Sequence, residues 1–223
     1  MKLKECENFW VLGAFLGAVG LLSALVLALV SDLTAPEIAK AERRAKSAAL
    51  RQLVSDFDND PMQEKCAFDG VDFMAMRKGG TLVGVAAETE TPFGYAGTVR
   101  ELVGFRPDGT VIAVLITEEK ETPGLGKDVC ERKFKKTIAN FLKPVPAGLP
   151  PNPILDQFSG RKAGDAKTVW RVRKDGGDFD FKTGATVTSR AVTEMTGKTA
   201  QVFSARRAEI LKKFGEKAPE VKK

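Results

Sequence analysis

The sequence predicts an α+β protein: a single N-terminal transmembrane helix, then one domain built on a twisted, largely antiparallel sheet flanked by helices. Three observations predict it. Phe9 to Val30 is an apolar run without a charge. From Val71 to Thr117, short alternating runs of apolar and polar residues are separated by Gly and Pro turns. From Ser189 to about Phe214, apolar residues recur at helical spacing.

The apolar run has 22 residues. As a helix it is about 33 Å long, enough to cross a bilayer core. Trp10 at its edge suits the interface. The run is too long for a cleaved signal peptide, and no small-x-small cleavage site follows it. Basic residues flank both sides, with Lys2 and Lys4 before the span and Lys40, Arg43, Arg44 and Lys46 after it. Charge counting alone therefore leaves its orientation open. "PEIAKAERRAKSAALRQLV", Pro36 to Val54, reads as a second helix, a stalk capped by Thr34 with Pro36 in its first turn. "DFDNDP" ends it.

The runs "GTLVGVAAET", "GTVRELVGFRP" and "GTVIAVLITEE" read as strands. Between the last two, Pro107 to Gly109 is a turn in which Pro presets one dihedral and Gly supplies positive φ. Val129 to Leu142 reads as a helix, "KPVPAGLPPNP" as a loop, and "KTVWRVRKDG" as a strand ending in a turn. The final helix buries Val192, Met195, Val202, Phe203, Ile210, Leu211 and Phe214. The expected organisation is a short N-terminal segment (1–8), the span (9–30), a helical stalk (31–60), the folded domain (61–214) and a basic tail (215–223).

Composition excludes much chemistry. There are 35 basic and 29 acidic residues and no histidine. The modest positive excess forms no basic stripe with interleaved aromatics, so no nucleic-acid partner is expected. Without histidine, Ser-His and Cys-His nucleophile pairs are impossible. Cys6, Cys66 and Cys130 lie far apart, too few and too scattered for iron–sulfur or structural zinc sites. No metal site or catalytic side chain is expected, and redox chemistry would need an organic cofactor. Cys66 and Cys130 either pair in an oxidising compartment or remain two half-buried thiols.

Two loops stand out. In "TEEKETPGLGKDV", Pro123, Gly124 and Gly126 make a tight turn whose amides can approach a ligand, although Pro and Gly also make plain turns. In "DFDFKTGATVTSRAV", Thr183, Thr186, Thr188 and Ser189 crowd around Gly184 and Ala185 before the last helix. Thr188 or Ser189 can cap that helix. A helix start also offers free N–H groups and partial positive charge to a phosphate. One cap needs one hydroxyl, and four exceed that need. The residues by themselves leave capping and phosphate binding both open.

"DFKTGAT", Asp180 to Thr186, resembles the acceptor pattern Asp-x-x-Ser/Thr-Gly-Ala-Thr of flavinylated FMN-binding domains. The longer "TGATVTSRAV" is similar to the site in the G subunit of the Rnf electron transport complex and in the C subunit of the sodium-pumping NADH:quinone reductase. "ETPGLG", Glu121 to Gly126, matches the other motif of that domain, about 60 residues upstream. The anchor, the stalk and "GYAGTVRELVGF" fit as well, with Ala96 where the family's Tyr-Gly-Gly element has a second glycine. The resemblance covers nearly the whole chain, and its length and stalk favour the Rnf G subunit.

The resemblance implies one FMN, joined through its phosphate to the hydroxyl of Thr186. Thr183, Gly184, Ala185, Thr188 and Ser189 would surround the phosphate. Glu121, Thr122, Gly124 and Leu125 would lie near the ribityl chain or ring. Asp180 would be read by a maturing flavin transferase or brace the loop. The chain would be a membrane-anchored electron carrier in a complex coupling ferredoxin/NAD electron transfer to ion transport. Partners would be the other membrane subunits of the Rnf complex, especially the flavinylated D subunit. The domain would face the periplasmic side of the bacterial inner membrane. The alternatives are the C subunit of the quinone reductase, an anchored FMN-binding reductase or regulatory domain outside such a complex, and a non-redox tethered module whose "TGAT" only caps a helix.

Overall fold

The computed structural model describes residues 9–134 and 148–215. The chain divides into two compact units, the first ending at Lys46 and the second running from Ser47.

Helix α1 spans Phe9–Leu53 without interruption. This corrects the expectation of two helices. Thr34 is not a cap: its hydroxyl donates to the Val30 carbonyl 2.8 Å away, one turn back inside the same helix. Pro36 lies in the helix interior, where it leaves one backbone acceptor without a donor yet does not end the helix. The apolar side chains from Phe9 to Leu33 are exposed, and α1 is long and apolar enough to cross a membrane.

In the second unit, five strands form one antiparallel sheet in sequence order: β1 (Lys65–Phe68), β2 (Val71–Lys78), β3 (Thr81–Gly94), β4 (Gly97–Phe105) and β5 (Val111–Glu118). Each strand pairs with the next, as short connections dictate. The β1–β2 connection is Asp69-Gly70, both with positive φ, the geometry whose twist matches paired strands. After β4, the Asp108 carboxylate accepts from the backbone and hydroxyl of Thr110, which closes the expected Pro107–Gly109 turn.

Both faces of the sheet are buried, because alternate residues point to opposite sides. Phe73, Val85, Val103 and Phe105 pack under the last helix, α4 (Thr186–Lys213). Met74, Met76, Leu102 and Leu115 pack with Leu50, Leu53 and Phe57. The Phe203 ring of α4 lies parallel to Phe105, with centroids 4.4 Å apart. All seven residues assigned to the inner side of the final helix are buried.

Two expected elements differ. The predicted helix from Val129 is, where described, only the end of a short α2 (Gly126–Cys130), and its remainder from Lys135 lies outside the described residues. The predicted strand "KTVWRVRKDG" is irregular, with a single bridge at Val172 and one turn of 3-10 helix at Arg173–Asp175. Its alternation arises because Trp170 and Val172 are buried, Trp170 within an aromatic group with Phe158 and Phe179, rather than from strand pairing. A short helix α3 (Pro153–Asp156) precedes this segment.

Candidate functional site

The two loops singled out in the sequence meet at the start of α4. Glu121 follows β5 and is buried. Its Oε2 accepts a 2.9 Å hydrogen bond from the Thr188 hydroxyl, and its Oε1 accepts one of 3.2 Å from the Ala96 amide in the β3–β4 turn. One carboxylate thus joins segments 25 and 67 residues away. Space for it comes from Gly126, where a Cβ would fall 2.2 Å from Glu121 Oε2 and 2.7 Å from Thr188 Oγ1. A second tie is the Lys182 ammonium, which donates to Asp128 Oδ2 at 2.6 Å and holds that carboxyl below its usual range.

The four hydroxyls divide into two pairs. Thr188 is occupied by Glu121. Ser189 donates to the Ala185 carbonyl and accepts from the Lys182 amide. Neither caps the helix: the cap position is Ala185, with no side-chain hydrogen bond, which corrects the capping expectation. Both hydroxyls are instead buried, where an unmade hydrogen bond would cost more than a cap contributes. The Thr183 and Thr186 hydroxyls have no hydrogen-bond partner among the described residues. Thr183 is exposed, whereas Thr186 is half-buried and is the first residue of α4. The first intrahelical bond at this end is from the Ser189 amide to the Ala185 carbonyl. The helix start therefore points free N–H groups and the positive end of its dipole outward beside Thr186.

Gly184 has φ of +85°, a conformation that side chains resist, and a Cβ there would stand 3.1 Å from Leu125 Cδ2. Gly184 and Leu125 thus lie close together on the exposed side, while Glu121 joins the loops on the buried side. Gly124 also has positive φ (+80°), but its Cβ direction is open, so its backbone dihedral is its requirement. The Thr122 carbonyl accepts from the Leu125 and Lys127 amides and shapes the turn. Thr122 and Leu125 are exposed, and so are Phe93, Tyr95 and Val187. Asp180 lies at the edge: its carboxylate pairs with Arg173 at 3.1 Å, and its backbone amide and carbonyl bond to Gln157.

Ala96 replaces a glycine at no cost in backbone strain. Among the described residues Asp69 is the one non-glycine with positive φ, and Gly97 takes the left-handed position in this turn.

The sequence that carries these loops is similar to known proteins. Residues 94–201 match the FMN-binding domain family. The chain is similar to the G subunit of the ion-translocating oxidoreductase complex of Cereibacter sphaeroides, at 34% identity over 90% of this chain and 87% of that one. The protein of the same description from Pseudomonas aeruginosa is 31% identical over 88% and 89% of the two chains, and that from Haemophilus influenzae strain PittEE is 32% identical over 86% and 88%.

The chain belongs to the G-subunit family of ion-translocating oxidoreductase complexes.

In this G-subunit chain, both motif loops and the Tyr95–Ala96 turn fall inside the matched FMN-binding domain. Sequence reasoning missed three contributors: Lys182 and Asp128, which tie the loops, and Asn152. The buried Asn152 side chain caps α3 through the Ile154 and Leu155 amides and donates to the carbonyls of Asp128, Val129 and Glu131. An Asn before Pro153 is a readable cap signal, but its second role at α2 is visible only in three dimensions. Cys66 and Cys130 are unpaired, and both are buried. Burial, with the charges of Glu119 and Glu121, pushes the Cys130 thiol up to about 12, which makes it inert.

Proposed function

We propose that this chain is a membrane-anchored flavoprotein electron carrier of an Rnf-type complex, with FMN joined by a phosphoester to Thr186 Oγ1. Membership in the G-subunit family and the FMN-binding domain support an FMN carrier within an ion-translocating oxidoreductase. The single apolar helix supports anchoring in a membrane.

The observation that carries the attachment is the division of the hydroxyls. Thr188 and Ser189 are buried and engaged, so neither is free to react. Thr186 is half-buried at an uncapped helix start, where N–H groups and the helix dipole stabilise the single negative charge of a phosphodiester. The positive φ of Gly184 and the small Ala185 turn the backbone so that little side-chain bulk surrounds the acceptor. The residues present therefore fit FMN. Bound there, FMN passes electrons one or two at a time between unlike carriers.

A threonine hydroxyl needs a base to become a nucleophile, and this chain has no histidine to supply one. The proposed maturation uses a separate flavin transferase. Thr186 Oγ1 attacks the FMN phosphorus of FAD, its proton passes to a base of the transferase, the pyrophosphate bond breaks and AMP leaves. Exposed Asp180 and Thr183 lie where such an enzyme can read them. In the assembled complex the domain faces the periplasm, neighbours the flavinylated D subunit and serves electron flow between ferredoxin and NAD.

The test is flavin fluorescence of the denatured full chain after coexpression with a flavin transferase. Wild type and Thr183→Val retain the signal and Thr186→Val loses it. Fluorescence that survives in Thr186→Val overturns the assignment.

A further inference from the structure

Glu121 is buried, yet it lies within the loop whose residues were expected beside the ribityl chain or ring. Both oxygens of its carboxylate are engaged by the protein. Oε2 accepts from Thr188 and Oε1 from the Ala96 amide, while its own amide donates to Glu119 Oε2 at 2.6 Å. Gly126 leaves room for this carboxylate, since a Cβ there would lie 2.2 Å from Oε2; a Cβ on Gly94 would meet the Gly97 carbonyl first, at 2.4 Å, and Oε1 at 2.8 Å. The approach at Gly126 marks a built joint, since an added carbon there would displace the carboxylate.

We infer that Glu121 is a positioning residue for the flavin-bearing start of α4, acting through Thr188 rather than by touching the flavin. This rests on the assignment of Thr186 as acceptor. Thr188 stands two residues beyond Thr186, in the same helical turn. Fixing its side chain fixes the direction in which the helix start presents Thr186 and its free N–H groups. The Ala96 bond sets the β3–β4 turn, with exposed Phe93 and Tyr95, against the same reference point. A tether alone leaves a flavin ring free to swing, whereas a helix start and a hairpin held by one carboxylate give it a defined seat.

The test compares four single variants of the full-length chain, matured with a flavin transferase. Glu121→Ala removes both bonds. Glu121→Gln keeps both, because its oxygen accepts from Ala96 and its amide donates to the Thr188 hydroxyl. Thr188→Val removes the bond from the other side, and Thr188→Ser keeps it. Two readouts are used: visible circular dichroism of the attached flavin, and hydrogen exchange of the Ser189 amide in flavin-free protein. Glu121→Ala and Thr188→Val are expected to lose the flavin dichroism and to speed Ser189 exchange roughly tenfold, the effect of one charge-assisted hydrogen bond. The Gln and Ser variants match wild type, and the double variant Glu121→Ala/Thr188→Val is no worse than Glu121→Ala alone.

Unchanged dichroism in folded Glu121→Ala, or additive losses in the double variant, would overturn the inference. If Glu121→Ala does not fold, Thr188→Val decides, and wild-type dichroism and exchange in that variant refute the joint. Failure of the acceptor assignment reads differently: flavin then remains attached in Thr186→Val, while the exchange results stand in flavin-free protein.

Discussion

At the residue scale, Thr186 combines an unengaged, half-buried hydroxyl with a helix start, whereas Thr183 lies before the helix and Thr188 and Ser189 are buried and engaged. The sequence showed a surplus of hydroxyls but not which were spoken for. That depended on Glu121, 67 residues upstream of Thr188, and no local pattern reports such a contact. The glycines of the two loops were legible as special, but for a mixture of reasons. Gly126 is required for space, while Gly124 is required for its dihedral. Gly126→Ala is therefore expected to destabilise the domain by about 1–3 kcal/mol through overpacking. Gly124→Ala is expected to cost about 1 kcal/mol, the penalty for a side chain in left-handed backbone. Urea unfolding of the two variants checks the ranking. Equal losses would mean that the Glu121 joint yields without cost.

At the element scale, the antiparallel sheet and the long final helix were readable because period 2 and period 3.6 are written into their buried faces. The break expected near Thr34 was misread because Pro36 signals a helix start as readily as an interior position. Strand β1 escaped notice because it has four residues. The buried side of α4 also faces an unexpected polar group. Glu101 of β4 is fully buried, with its carboxyl oxygens 2.7 and 3.0 Å from the Thr196 and Thr199 hydroxyls. Burial pushes its carboxyl from the ordinary 4.5 up to about 8, against a smaller opposing effect of the two hydroxyls. Between these values the folded chain holds a proton that the unfolded chain releases. The stabilisation is complete below pH 4.5 and is lost as pH rises toward 8. From this group alone, unfolding free energy is expected to fall by about 1.4 kcal/mol per pH unit across that window. Glu101→Gln, which stays neutral, is expected to flatten the slope in denaturant titrations at pH 5, 6, 7 and 8. An identical slope in the variant would assign the dependence elsewhere. On the same helix, Phe203→Ala is expected to cost about 3–5 kcal/mol, since the ring stacks on Phe105 and also meets Phe73. Its thermal midpoint checks this.

At the scale of the whole molecule, an exposed apolar helix precedes a domain whose two motif loops converge at one helix start. Membrane anchoring was plain from the uncharged run, but its direction was not, because basic residues lie on both sides. With the domain on the periplasmic side, as proposed, a C-terminal reporter that is active only outside the cytoplasm gives signal. Activity of a cytoplasm-only reporter would reverse the placement. The central claim, attachment of FMN at Thr186, is tested most directly by tandem mass spectrometry of the tryptic peptide Thr183–Arg190. Cleavage after Lys182 and Arg190 yields "TGATVTSR", which contains all four hydroxyls. The predicted result is one FMN phosphoester with fragment ions that place it on Thr186. An unmodified peptide from transferase-matured protein, or FMN on Thr183, Thr188 or Ser189, would contradict it.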